Sequence, residues 1–203
     1  QQAGILLVHL AWEPPPPPSA TALARADSTL QMHPENPEVD GVRVWSAVAR
    51  KDLAAPGDTT AQRQARQALQ QVIRRENSLY YNEALLLLAQ MQWQSGDTVA
   101  AQTSLTQLEA ANTKDLSQAK GQLLQARWLT AQKKYEAALS QLKTMRERFY
   151  YSAYADSAEA LKLRVFILSG RVTEALQTLD AAGAQASNFN DGVDLERAQL
   201  LES

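Results

Sequence analysis

Histidine, cysteine, paired carboxylates and glycine-rich loops carry most catalysis and ligand binding, and this chain holds few of them. His9 and His33 are its only histidines, and neither sits at a metal-ligand spacing. Cysteine is absent, which removes disulfides, thiol nucleophiles and zinc–thiolate sites together. The phosphate-cradling G-x-x-x-x-G-K, the dinucleotide G-x-G-x-x-G and the nucleophile-elbow G-x-S-x-G are all missing. Asp191 and Asp194 are too sparse for a calcium loop, and the other acids are scattered singly. No acid–base pair, nucleophile, metal site or cofactor site emerges, so catalysis is not expected.

Charge and aromatic residues remain. Arg63, Arg66, Arg74 and Arg75 cluster on one stretch, and Lys133, Lys134, Lys143, Arg146 and Arg148 on another. Glu76, Glu136 and Glu147 interleave with them, which favours solvated helix faces over a phosphate-binding stripe. With a net charge of −2 and a pI near 5.8, the chain lacks a global basic field for nucleic acid or an anionic membrane. Phe149, Tyr150, Tyr151 and Tyr154 form an aromatic group, with Tyr80 and Tyr81 at a comparable place earlier. Packing between neighbouring helices is the first reading of both, and a tyrosine anchor for a partner is the second.

The elements that position these residues are helical. Hydrophobic residues make up 45% of the chain, ordinary for a folded protein. Alanine, leucine and glutamine dominate, and all three favour helix. The expected fold class is all-α. Residues 1–12, QQAGILLVHLAW, read as an apolar peg, followed by Glu13 and the run Pro14–Pro18. Consecutive prolines fix φ and remove backbone donors, so the run reads as a polyproline II rod. Such an arm can pack into its own domain, dock into another chain through Ile5, Leu6, Leu7 and Trp12, or touch a membrane surface. The apolar run is too short to span a bilayer, which takes about 20 residues.

Past residue 18 the punctuation is regular. Ser19 caps a helix that His33-Pro34 stops near Met32. Asn36-Pro37 opens another over Glu38–Lys51, AAPGD at Ala54–Asp58 makes a loop, and Thr59 or Thr60 starts a helix to about Arg75. Asn77 or Ser78 opens Leu79–Gln94, and Gly96-Asp97 turns into a helix ending near Ala111. Thr113 or Asp115 begins the next, Gln132–Lys134 turns it, and its partner runs to about Phe149. Ser152 caps a helix to Ser169, Gly170 turns, and Arg171–Ala182 returns with Gly183 as its stop. Val193–Leu201 reads as one further helix.

The turns are the organising feature. Gly96, Lys133 and Gly170 are separated by 37 residues each. An alanine recurs after each turn at Ala101, Ala138 and Ala175, and a leucine four later at Leu105, Leu142 and Leu179. Small alanines let paired helices approach, and leucines fill the space between pairs. One pair cannot bury its own apolar face, so stacking is required.

The phrase YEAAL at Tyr135–Leu139, the turn glycines Gly96 and Gly170, and the segment ALARADSTLQMHPENPEV resemble a tetratricopeptide-type α-solenoid. The resemblance covers roughly residues 20–182, with a period longer than that family's usual length of about 34. It implies stacked antiparallel helix pairs over residues 19–203, preceded by the arm at 1–18. It also implies that the first helix of each pair lines a groove. Carried over by offset from the turn, groove positions are Glu83, Leu86, Gln90 and Trp93, then Lys120, Leu123, Arg127 and Thr130, then Ser157, Ala160, Arg164 and Ile167. Several of these are equally readable as inter-helix core. Members that clamp a terminal carboxylate use lysine and asparagine where this chain has Leu86, Leu123 and Ala160, so that clamp is missing. The mixed apolar and polar groove suits an extended or helical protein segment.

The phrase RFYYSAYADSAEAL, Arg148–Leu161, resembles bacterial envelope repeat proteins. On that ground the expected role is a protein-binding scaffold, an accessory or assembly subunit of a membrane-associated complex, with a periplasmic or cell-envelope location. Its expected partner is another protein or complex, membrane-embedded or not, and nucleic acid is not expected. The chain begins at Gln1, for which a processed leader, a lipid anchor upstream and a truncation all account. A cytosolic peptide-binding regulator and a purely structural subunit are the alternatives.

Overall fold

A computed structural model describes residues 18–55, 57–111, 116–150 and 154–185, with side chains through residue 180. The peg, its four residues Ile5, Leu6, Leu7 and Trp12, and the expected helix Val193–Leu201 lie outside the described residues, as do the expected caps Thr113, Asp115 and Ser152. Among the described residues there are nine α-helices, one 3₁₀ turn and no strand. The helices are α1 (Ala20–Met32), α2 (Asp40–Leu53), α3 (Thr59–Ile73), α4 (Tyr81–Gln94), α5 (Thr98–Ala110), α6 (Leu116–Ala131), α7 (Tyr135–Arg148), α8 (Ala155–Leu168) and α9 (Val172–Gln185). The all-α expectation holds. The chain divides into two compact units meeting in sequence at residue 112, the first holding α1–α5 and the second α6–α9.

In the first unit α2 packs on α3 and α4 on α5, α3 also meets α4, and α1 covers α2. The first helices of the two pairs, α2 and α4, touch. Its core combines Val44 and Ala47 of α2, Ala65, Leu69 and Val72 of α3, and Ala84, Leu88 and Met91 of α4. The second unit repeats the scheme: α6 packs on α7, α8 on α9, α7 on α8, and the first helices α6 and α8 touch. There Ala138, Leu142 and Met145 of α7 interlock with Ala119, Leu123 and Ala126 of α6 and with Ala158, Leu161 and Val165 of α8. The recurring alanines have no accessible surface at Ala101, Ala138 and Ala175, and the leucines four later are buried. A side chain larger than alanine has no space there, because core packing density leaves no voids.

The three equally spaced turns share one hydrogen-bond scheme. Gly96, Lys133 and Gly170 take φ of 84°, 60° and 75°. Each donates its amide to the carbonyl three residues back: Trp93, Thr130 and Ile167. The next amide, of Asp97, Lys134 and Arg171, reaches the carbonyl five back, on Gln92, Leu129 and Phe166. This paired closure satisfies the last carbonyls of each first helix and reverses the chain, and it needs a left-handed residue at the tip. Lys133 meets that need without being glycine.

Helices α1, α3 and α5 start at side-chain caps, whereas α2, α4, α7 and α8 have none. Ser19 accepts from the Ala22 amide at 3.2 Å, and Asp97 from the Ala100 amide at 3.1 Å. Asn36 accepts from the Glu38 amide at 2.9 Å and begins the 3₁₀ turn Pro37–Val39, so α2 proper starts two residues later than expected. As expected α3 starts at Thr59, and its cap is Asp58, whose carboxylate accepts from the amides of Thr60 and Ala61, both at 3.0 Å. The expectation that Gly183 stops the last helix is wrong. The helix continues to Gln185, since the alanines around Gly183 favour helix enough to absorb one glycine, which costs only about 1 kcal/mol.

The structure also contains a fourth pair that turn spacing did not reveal. In α3, Ala65 and Leu69 are fully buried and stand 36 residues before Ala101 and Leu105. Ala26 and Leu30 of α1 stand 39 before those, so α1 carries the pattern of a second helix. Gly57, at φ 86°, turns this extra pair.

Candidate protein-binding face

Each proposed groove residue lies on the first helix of a pair. Glu83, Gln90 and Trp93 are on α4 in the first unit. Lys120, Arg127 and Thr130 are on α6, and Arg164 is on α8, in the second. Glu83, Lys120, Arg127 and Arg164 are exposed, Gln90 and Trp93 half-buried. Leu86 and Leu123 are core residues, each under a tenth exposed. Thr130 is a correction: it is buried, and its hydroxyl donates to the Ala126 carbonyl at 2.8 Å, so it offers nothing to a ligand. Its offset from the turn is shared by Trp93 and Ile167, also largely covered, and marks the inner edge of the face.

In the second unit the exposed residues form two stripes. On α6 they are Leu116, Lys120, Arg127 and Ala131, and on α8 Asp156, Ala160, Arg164 and Leu168. Spacings of four and seven residues keep each set on one helical face. Arg127 and Arg164 are one repeat apart, at equivalent points of helices that touch. Helices in contact have axes about 8–10 Å apart, so the two arginines stand on neighbouring stripes of one face. Neither makes a hydrogen bond or ion pair among the described residues. Lys120 lies over the Tyr154 ring, 5.6 Å from its centroid.

Several other charges are engaged. Glu159 takes Arg146 at 2.6 Å and Lys162 at 3.3 Å. Arg171 joins Glu174 at 2.7 Å to Glu136 at 2.8 Å and covers the Phe166 ring. The Arg171 guanidinium beside Glu174 holds that carboxyl below its ordinary value of 4.5. The cluster Arg63, Arg66, Arg74 and Arg75 does not form a stripe. Arg66 donates to the Met91 carbonyl, and Arg75 turns towards Asp40 and Glu35.

That last contact belongs to a buried charge cluster that no motif or spacing signals. Asp40 and Arg43 are both essentially without exposed surface. One carboxylate oxygen of Asp40 accepts from Arg43 and from Arg75, each at 2.8 Å. Arg43 donates further to the carbonyls of Pro34 and Asn36 and to Gln71. The arrangement ties the α1–α2 connection to α2 and α3, and every strong donor faces inward. It is architectural.

Among the aromatic residues, Phe149 is buried and Tyr154 half-buried against the same core, while Tyr150 is exposed. No group of three or more histidine, aspartate or glutamate side chains able to hold a metal occurs among the described residues, and none of their helices is long and apolar enough to cross a membrane.

Four helix pairs, each bringing its first helix against the next one within a unit, agree with a comparison against protein families. The profile of the tetratricopeptide repeat-like domain matches residues 41–191, about three quarters of the chain. The chain belongs to this family. No curated protein and no solved structure matches it. The tetratricopeptide repeat-like assignment spans all four pairs, including the α2–α3 pair at its start, and it supports a protein-interaction scaffold.

Proposed function

We propose that this protein is a non-catalytic scaffold that binds another protein, serving as an accessory or assembly subunit of a membrane-associated complex in the bacterial cell envelope. The observation that carries the scaffold reading is the repeat architecture itself. Its first helices present exposed, unpaired polar side chains, and no cluster with catalytic geometry accompanies them among the described residues. The envelope location is supported by the resemblance of Arg148–Leu161 to envelope repeat proteins. A membrane-embedded partner, and a second contact through the peg at residues 1–12, extend the same reading.

The test is site-specific photo-crosslinking in intact cells. A crosslinker at Gln90, Arg127 or Arg164 on the first helices is compared with one at Gln102 or Lys143 on the second helices. Discrete adducts from the first-helix positions, recovered with the envelope fraction, are expected. No adduct at any position would remove the scaffold reading, and adducts confined to the cytosol would remove the location.

A further inference from the structure

We propose that the α6–α8 face of the second unit receives an acidic, amphipathic segment of a partner protein, with Arg127 and Arg164 meeting its carboxylates. The inference rests on the scaffold reading and adds the partner's chemistry. Three observations support it.

The first is a charge imbalance. On the exposed stripes of α6 and α8 three cations, Lys120, Arg127 and Arg164, stand against one acid, Asp156, although the whole chain has 20 lysines and arginines against 22 acids. The second is pairing. From α6 to α8, Glu159 is consumed by Arg146 and Lys162, and Glu136 by Arg171, whereas Arg127 and Arg164 have no counter-charge among the described residues. Helix α6 contains no acid at all, and Asp156 is the one exposed acid on the two stripes. Two exposed cations on neighbouring stripes with no counter-charge favour an anionic ligand.

The third is the apolar ground flanking the cations along the two stripes. Leu116 and Leu168 are 57% and 49% exposed, with Ala131 and Ala160 also open and Ile167 half-buried. A phosphate polymer gains nothing from these side chains, whereas an amphipathic segment buries them while its carboxylates reach the arginines. Arginine suits this role because its planar fork binds a carboxylate through two bonds.

The test uses the full chain and two fluorescein-labelled synthetic peptides, one alternating glutamate with leucine and alanine, the other with lysine in place of glutamate. Anisotropy titration should show binding of the acidic peptide, weakening as salt rises. In R127E/R164E its Kd should rise about tenfold or more, because reversal replaces attraction by repulsion. The lysine peptide should bind the reversed variant and not the parent. K143E, on the outer surface of α7, should leave both titrations unchanged, and circular dichroism should confirm that each variant is folded. Equal affinity of the acidic peptide for parent and R127E/R164E overturns the proposal. So does anionic-vesicle or single-stranded DNA binding that depends on the same arginines. The chain's own acids at 191, 194, 196 and 202 provide another check. If D191N/D194N/E196Q/E202Q tightens peptide binding about tenfold, the occupant is this chain itself and the proposal falls. A partner crosslinked in cells but indifferent to R127E/R164E would leave the scaffold reading intact and overturn only this one.

Discussion

Removing the carboxylate of Asp40 should loosen the first unit more than any other single surface-to-core charge change. Asp40 and Arg43 are 0% and 1% exposed, and among the described residues Asp40 is the only carboxylate that reaches the Arg43 guanidinium. In Asp40→Ala a buried cation is left without its counter-charge, a loss of about 3–5 kcal/mol. Arg75 is different. It is 24% exposed at the side chain and still has Glu35 and water, and Asp40 keeps Arg43 when it is lost, so Arg75→Ala should cost only about 1–2 kcal/mol. Hydrogen exchange resolved by peptide is the suitable assay, since two compact units need not unfold together. With about 1.4 kcal/mol per tenfold change, the α2 amides of Asp40→Ala should exchange about a hundred to several thousand times faster than in the parent. The double change D40L/R43M removes both charges and should be less damaging than D40A, although the carbonyls of Pro34 and Asn36 lose a donor. Acceleration under tenfold in D40A, or equal damage in D40L/R43M, would refute the charge argument and leave packing as the cause.

Two further outcomes follow from single side chains. Lys133 holds a left-handed conformation that costs a non-glycine residue roughly 1–2 kcal/mol, so Lys133→Gly should raise stability to urea by about 0.5–1 kcal/mol, while Gly96→Ala and Gly170→Ala should lower it by about 1–2 kcal/mol. A methyl at either glycine meets nothing within 4 Å, so any loss there is purely conformational. Glu174 has its pKa depressed chiefly by the hydrogen bond from Arg171, so its contribution is present above the ordinary carboxylate value and lost as pH falls through the lowered one. Thermal melts across that acid window should show E174Q flattening the pH dependence there, with a lower Tm than the parent at neutral pH and the same Tm once pH is below the lowered value.

How much of this the sequence discloses depends on what sets each spacing. The 37-residue interval between turns was readable because Gly96, Lys133 and Gly170 close the same hydrogen bonds, and Lys133 was found by register although its residue type gives no hint. The α2–α3 pair escaped the same method because its turn residue, Gly57, stands 39 residues before Gly96. Loop length can drift without cost, but the alanine and leucine of each second helix cannot, since they must meet the neighbouring helices. Ala65 and Leu69, at 36 residues from Ala101 and Leu105, therefore keep the register that the loop loses. Charges are harder. Asp40 and Arg43 are three apart on a helix, the spacing of an ordinary solvated pair, and only Arg75, 35 residues later, reveals that the pair is enclosed. The exposed face of the first helices divides by the same logic. Arg127 and Arg164 point outward because their offset lies at the middle of the first-helix face, and Thr130 does not because three residues further the helix has rotated toward its neighbours. Offsets from a turn thus find exposed positions of the first helices and blur the edge of the exposed strip, where the width of the neighbouring helix decides exposure and composition is silent.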